Sequence, residues 1–165
     1  SNPYSATKAA AEHLITAYHN TFGTSFKMVR MSNNFGPRQD KEKFIPTIIR
    51  SLREKNKIPV YGDGSNVRDW MFVKDCCLMI KEVLEQGEIN ETYNISLKNE
   101  LSNISLIEKI TEIMHVPFIE SITFVPDRLG HDFRYSIDNS KFSAIRQLRP
   151  TNFTKALVET IASYV

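Results

Sequence analysis

The step from residue 3 to residue 31 constrains the fold most. A helix-period stretch from Pro3 to Phe22 passes through Gly23 into the apolar, β-branched run Phe26-Lys27-Met28-Val29-Arg30-Met31. Pro3 suits a first helical turn, Asn2 can cap it, and Gly23 provides the stop. A helix feeding a short strand, repeated along a chain, belongs to the α/β class. The repeat continues with a helix expected over 43–55, a strand over Ile58–Tyr61, turn chemistry at Gly62-Asp63-Gly64-Ser65-Asn66 and a strand over 67–73. Asp75 is expected to cap a helix ending near Gln86, before Gly87. A strand over 92–96 and a helix over 101–114 follow, the helix with Ser102 or Asn103 near its start. Then come a strand over Ile122–Val125, a loop over 126–131 and closing helical segments over 139–147 and 153–164. Residues 32–37, Ser-Asn-Asn-Phe-Gly-Pro, read as loop.

Composition narrows the functional classes. With 41% hydrophobic and 24% charged residues, the 165-residue chain can bury a core, and its net charge of +2 offers no electrostatic argument for nucleic acid or an anionic membrane. No apolar run approaches the roughly 20 residues a bilayer requires. Ser1-Asn2-Pro3-Tyr4 carries neither the charged nor the apolar region of a secretory signal. Cys76 and Cys77 are neighbours, which fits no disulfide staple and no CxxC site. Buried free thiols and a reducing, cytoplasmic setting are the expectation. His13, His19 and His115 lack metal-ligand spacing, so no metal is expected. The run Arg53-Glu54-Lys55-Asn56-Lys57 reads as a solvated helix end, and Trp70 and Phe72 as core.

Tyr4 and Lys8 stand four apart, so both leave one face of the first helix. An ammonium beside a phenol favours the phenolate. Such a tyrosine can take a proton from a sugar or alcohol hydroxyl while hydride leaves the same carbon. A plain surface pair satisfies the same spacing. Small residues surround the pair in Tyr4-Ser5-Ala6-Thr7-Lys8-Ala9-Ala10-Ala11, which would let a flat cofactor ring approach. No GxGxxG or GxxxxGK[ST] loop occurs in the 165 residues.

That segment is followed in order by Arg30-Met31-Ser32-Asn33-Asn34-Phe35-Gly36-Pro37, Pro59-Val60-Tyr61-Gly62-Asp63-Gly64, Arg68-Asp69-Trp70-Met71-Phe72-Val73-Lys74-Asp75 and Asp127-Arg128-Leu129-Gly130-His131-Asp132-Phe133-Arg134-Tyr135. In this order the chain, to about Leu148, resembles the extended short-chain dehydrogenase/reductase superfamily of nucleotide-sugar enzymes. Its dTDP-glucose 4,6-dehydratase branch is the nearest likeness. The resemblance implies Tyr4 as active-site base, with Lys8 on the nicotinamide ribose and Asn34 also holding NAD. It implies Asn33, Lys43, Phe44 and Asn103 on the sugar nucleotide, and Pro59, Val60 and Tyr61 along its base. Arg68 and Arg128 would neutralise the diphosphate with forked donors. Asp127, Gly130 and His131 would complete the site, and Leu129 departs from the proline usual in that loop.

The implied reaction removes the 4-hydroxyl proton at Tyr4 as hydride leaves C4, eliminates water across C5 and C6, and returns hydride to C6. The elimination carboxylates and the pyrophosphate loop would lie upstream of Tyr4, so the chain is expected to be the C-terminal half of such an enzyme, inactive alone. The implied fold is the last part of a Rossmann-like NAD-binding sheet interleaved with a small α/β substrate domain. Residues 1–37 would be the tail of the cofactor domain and 38–165 mainly substrate domain, with 75–96 returning to the cofactor side. A homodimer through the Tyr–Lys helix and an exposed apolar sheet edge are further expectations. Three other readings stay open: a UDP-sugar epimerase, dehydratase or decarboxylase; a non-catalytic nucleotide-sugar-binding module; and a fragment without independent function.

Overall fold

The computed structural model describes residues 3–146 and 148–164. Helix α1 (Pro3–Phe22) has the expected span, while the proposed Asn2 cap lies outside the described residues. It ends at Gly23, whose φ of 67° is easy only for glycine and whose N–H donates to His19 O at 2.8 Å. None of its side chains is buried. Its tie to β1 (Lys27–Met31) is a forked ion pair, Arg30 Nε donating to Glu12 Oε1 at 2.8 Å and the other arm reaching Oε2.

The first correction follows at once. Residues 33–35, expected to be loop, form β2 (Asn33–Phe35), parallel to the later 67–72 strand. Phe35 is buried there, and a buried backbone must pair its polar groups, whatever the low strand propensity of two asparagines. Helix α2 (Phe44–Arg53) buries Ile45, Ile48, Ile49 and Leu52, an i, i+3, i+4, i+7 stripe. In β3 (Ile58–Tyr61) Ile58 and Val60 turn inward, Pro59 and Tyr61 outward. Strand β4 (Val67–Phe72) lies between two cores: Trp70 and Phe72 enter the larger one and Met71 the smaller, as a period of two requires.

Helix α3 (Val73–Gln86) begins two residues before its expected cap. Asp75 therefore sits in the first turn, buried, and accepts from Thr151 N (3.0 Å) and Thr151 Oγ1 (2.8 Å) instead of from its own helix. Only Cys76 is a buried thiol; Cys77 is exposed, because successive helical side chains diverge by about 100°. Burial pushes the Cys76 thiol up to about 11.

Strand β5 (Glu91–Ile95) lies parallel to β1. Residues 100–102 are not the opening of a helix but β6 (Glu100–Ser102), antiparallel to β4. Ser102 then caps α4 (Asn103–Ile113), its Oγ accepting from Ser105 N at 3.1 Å. The short α5 (Phe118–Ser121) and the two-residue β8 (Arg134–Tyr135) were not foreseen, whereas β7 (Ile122–Val125) was, and it runs parallel to β3. The chain closes with α6 (Ser140–Ile145), shorter than expected and followed by Gln147 outside the described residues, and α7 (Phe153–Ala162), capped by Asn152.

Two cores result. The larger joins α2, β3, β4, α4 and α7 through residues such as Phe35, Ile48, Trp70, Ile107 and Leu157. The smaller joins α3, β5 and α6 through Met79, Val83, Tyr93, Ile95 and Phe142. The 53–57 run is more than a solvated end: Arg53 donates to Ile161 O, in the last turn of α7, at 3.2 Å and also to Tyr164 O just beyond it.

Candidate functional site

A cleft of about 480 Å³ lies over the larger core, within the range of small-molecule sites. Pro59 and Tyr61 form one wall because β3 alternates; Val60, by the same alternation, points into the core. At the start of α2, Lys43 and Phe44 border the cleft, and Phe44 stacks on Trp70 at 6.3 Å and 22°. Asn33 reaches it from β2 and Asn103 from α4. Asn103 is placed by its neighbours: its N–H donates to Asn66 O (2.9 Å), and the next N–H, of Ile104, donates to Gly64 O (3.0 Å). Gly64 has φ 76°, and a Cβ there would stand 2.8 Å from Val60 Cγ1, so the turn can pass this close only as glycine.

Two arginines supply the charge. Arg68, on β4, is 9% exposed. Its Nη1 donates to Val67 O at 2.7 Å, its Nη2 to Asp132 O at 2.9 Å, and its guanidinium lies 4.7 Å from the Tyr135 ring centroid. Burial pulls its pKa down, opposed by the charge fields of Tyr135 and Asp132, and a guanidinium stays protonated throughout. Arg128, from the 126–131 loop, lies 4.0 Å above the Tyr61 ring. Asp127 shapes that loop: its Oδ1 accepts from Arg128 N (2.8 Å) and lies 2.7 Å from His131 Nδ1. The hydrogen bond to His131, then that from Arg128 N, holds the Asp127 carboxyl below its ordinary range. Gly130, at φ 69°, makes the turn that brings His131 to the cleft.

The cleft thus brings together Asn33, Lys43, Phe44, Pro59 and Tyr61 with Arg68, Asn103, Arg128 and His131. Asp127 and Gly130 shape it without lining it. Tyr4 and Lys8 are exposed on α1 and do not line it. Asn34 is half-buried beyond the carboxyl end of β1, its Nδ2 donating to Ser32 O at 3.2 Å. Its Oδ1 and the Ser32 Oγ are buried without a hydrogen-bond partner among the described residues. Sequence reasoning missed Glu42, Thr47, Ile58 and the dual role of Trp70, which is core and also cleft floor. Thr47 stands one helical turn after Lys43, so the i, i+4 rule could have found it.

Parallel pairing of β1 with β5, and a polar cleft over an α/β core, are features of a Rossmann-like α/β chain. The chain belongs to the NAD dependent epimerase/dehydratase family, which matches residues 1–96. It is 48% identical to the low-salt glycan biosynthesis protein Agl12 of Haloferax volcanii over 87% of this chain and 46% of that one. It is 42% identical to the dTDP-glucose 4,6-dehydratase of an Actinoplanes species over 99% of this chain and 51% of that protein. Among solved structures, the dTDP-glucose 4,6-dehydratase of Streptomyces venezuelae, crystallised with NAD, superposes with a TM-score of 0.92 at 37% identity, covering 98% of this chain and 50% of that one. A UDP-glucuronic acid 4-epimerase from Bacillus cereus matches with a TM-score of 0.91 at 27% identity, over 98% and 52% of the two chains. The chain spans about half the length of the curated relatives it matches.

Proposed function

We propose that this chain provides the nucleotide-sugar site and the Tyr–Lys pair of an NAD-dependent 4,6-dehydratase acting on dTDP-glucose. The observation that carries the reading is the cleft, which Arg68 and Arg128 line together with Pro59 and Tyr61. Two guanidiniums suit a diphosphate, and a flat apolar wall suits a pyrimidine. Lys43, Asn33 and Asn103 add polar groups that orient a sugar.

NAD fits the residues present on its nicotinamide side. Among the described residues, Asn34 Oδ1 is a buried acceptor without a hydrogen-bond partner and Ser32 Oγ a buried hydroxyl without one, as a carboxamide would require. When bound, NAD supplies the capacity to accept a hydride from the sugar and give it back. Tyr4 takes the proton of the sugar 4-hydroxyl, and Lys8, one helical turn on along α1, holds the nicotinamide ribose. Arg68 and Arg128 hold the diphosphate, which fixes the sugar relative to Tyr4. Among the described residues lining the cleft the carboxylate is Glu42, and in this reading the acid–base pair for elimination and the pyrophosphate loop belong to a part of the enzyme upstream of Tyr4. Pairing of two copies through Leu14, Ile15, Tyr18 and Phe22 of α1, all exposed, belongs to the same proposal. So does a cytoplasmic setting, supported by two free thiols.

The test is calorimetric titration with dTDP, followed by assay of the full-length protein for a 4-keto-6-deoxy product from dTDP-glucose. Binding with turnover supports the dehydratase. A product inverted at C4 that keeps its 6-hydroxyl supports instead the epimerase reading, which the likeness to the Bacillus cereus enzyme motivates. A folded protein that binds neither dTDP nor UDP overturns both.

A further inference from the structure

The sequence 132–136, Asp-Phe-Arg-Tyr-Ser, has the composition of an ordinary surface segment, and three of its residues expose aromatic or charged side chains. The structure nevertheless fastens it at several points. Val67 N donates to Phe133 O at 2.8 Å, and β8 continues parallel to β4 with Tyr135 opposite Arg68. Arg134 forks onto Glu100 of β6 at 2.6 and 2.9 Å, and Ser136 Oγ donates to the same carboxylate at 2.8 Å. The segment is thus held from both sides before any ligand arrives.

What it holds is Arg68. The carbonyls of Val67 and Asp132 take one donor from each Nη, and the Tyr135 ring covers the guanidinium at 4.7 Å. The Tyr135 hydroxyl donates in turn to Asp132 Oδ2 at 2.5 Å, which sets the tilt of the ring. A guanidinium has five N–H donors, so others remain for the cleft that Arg68 borders. Without such contacts an arginine side chain has many rotamers, and a ligand must select one at an entropic cost.

We propose that Tyr135, supported by Asp132, is a positioning residue for Arg68, presetting its guanidinium toward the phosphates of a bound nucleoside diphosphate. The proposal rests on the reading of the cleft as a nucleotide-sugar site, and deepens it by naming a determinant of diphosphate affinity that does not itself contact the ligand. Tyr135 is 45% exposed and lies outside both cores, so its substitution leaves the packing of the chain intact.

The experiment measures dTDP affinity by calorimetry and thymidine affinity by ligand-observed NMR on the full chain, with thermal unfolding as a check. Tyr135→Leu is expected to weaken dTDP about tenfold, in line with a partly desolvated cation–π contact, and to leave thymidine unchanged. Tyr135→Phe keeps the ring over Arg68 and loses only the half-exposed hydroxyl's bond to the Asp132 carboxylate, so it is expected to stay within about threefold of wild type. Asp132→Ala, which keeps the carbonyl that Arg68 uses, serves if Tyr135→Leu melts early, with about a threefold loss expected for dTDP alone. Unchanged dTDP affinity in Tyr135→Leu overturns the positioning role, as does an equal loss for dTDP and thymidine. A wild-type chain that fails to bind dTDP overturns the underlying reading instead, so the two failures are told apart.

Discussion

The helix α1 and the 480 Å³ cleft are both implicated in the same chemistry, yet they are built in opposite ways. The cleft rests on the larger core, and its key charge, Arg68, is buried and tied to carbonyls and a ring. Helix α1 buries nothing, leaves Tyr4, Leu14, Tyr18 and Phe22 more than half exposed, and is tied to β1 by one forked ion pair. The outer face of α3 is similar, with Cys77, Leu78 and Leu84 exposed. The difference is one of packing: the cleft side chains are held by buried neighbours, whereas no side chain of α1 is buried. Preorganisation follows from packing, and only the cleft has it.

Thiol chemistry gives the largest contrast. Burial pushes the Cys76 thiol up to about 11, so its thiolate is scarce at neutral pH, and access is closed as well. One thiol per native chain, Cys77, should therefore react promptly with an aromatic disulfide reagent. Protection of both would mean that the α3 face is covered in solution.

Next in size, Arg68→Ala should weaken dTDP by about 2–3 kcal/mol, the worth of charge-assisted hydrogen bonds, with titration calorimetry as the measure. If Lys8→Ala weakens dTDP as much, recognition is not confined to the cleft and the contrast breaks. Asp75→Ala should cost about 1–3 kcal/mol in urea unfolding, since Thr151 N and Oγ1 lose a buried acceptor. Tyr18→Ser on α1 should change stability by no more than about 0.5 kcal/mol. A larger loss would show that the helix is packed against something in solution.

The smallest effect concerns pH. The carboxyls of Asp127 and Glu100 are held below their ordinary values of 3.8 and 4.5, chiefly by hydrogen bonds from His131 and Arg134. Contacts of groups with depressed values contribute fully above the unfolded-state values and are lost as pH falls through the folded ones. The 126–131 loop and the β8 strap should therefore loosen below about pH 4, before the cores unfold. Fluorescence of Trp70, the single tryptophan and part of the cleft floor, should report it. An unchanged spectrum down to the unfolding transition would place the loop's stability elsewhere.

Legibility followed the range of the interactions involved. Helix α1 and strands β3 and β7 were readable because periodicity and glycine stops are local. Strand β2 was not, since two asparagines hide a strand that exists because β4 lies beside it. Asp75 looked like a cap because the sequence shows a carboxylate near a helix start. Its partner, Thr151, is 76 residues away. Among site residues, Arg68, Arg128 and Tyr61 stood in recognisable segments, whereas Glu42, Thr47 and Trp70 became cleft residues only by tertiary placement. Tyr135 was visible in its segment, but nothing local says that it faces Arg68.

By itself, then, the sequence determined the α/β alternation, the family likeness and the candidate charges of the cleft. These depend on side-chain type and spacing within a few residues, where periodicity and propensity act. The tertiary structure alone decided which carboxylate meets which donor, which thiol is closed off, and which ring covers the buried arginine. Those outcomes turn on strand register and on contacts between segments tens of residues apart, whose pairing depends on the whole core and not on any local pattern.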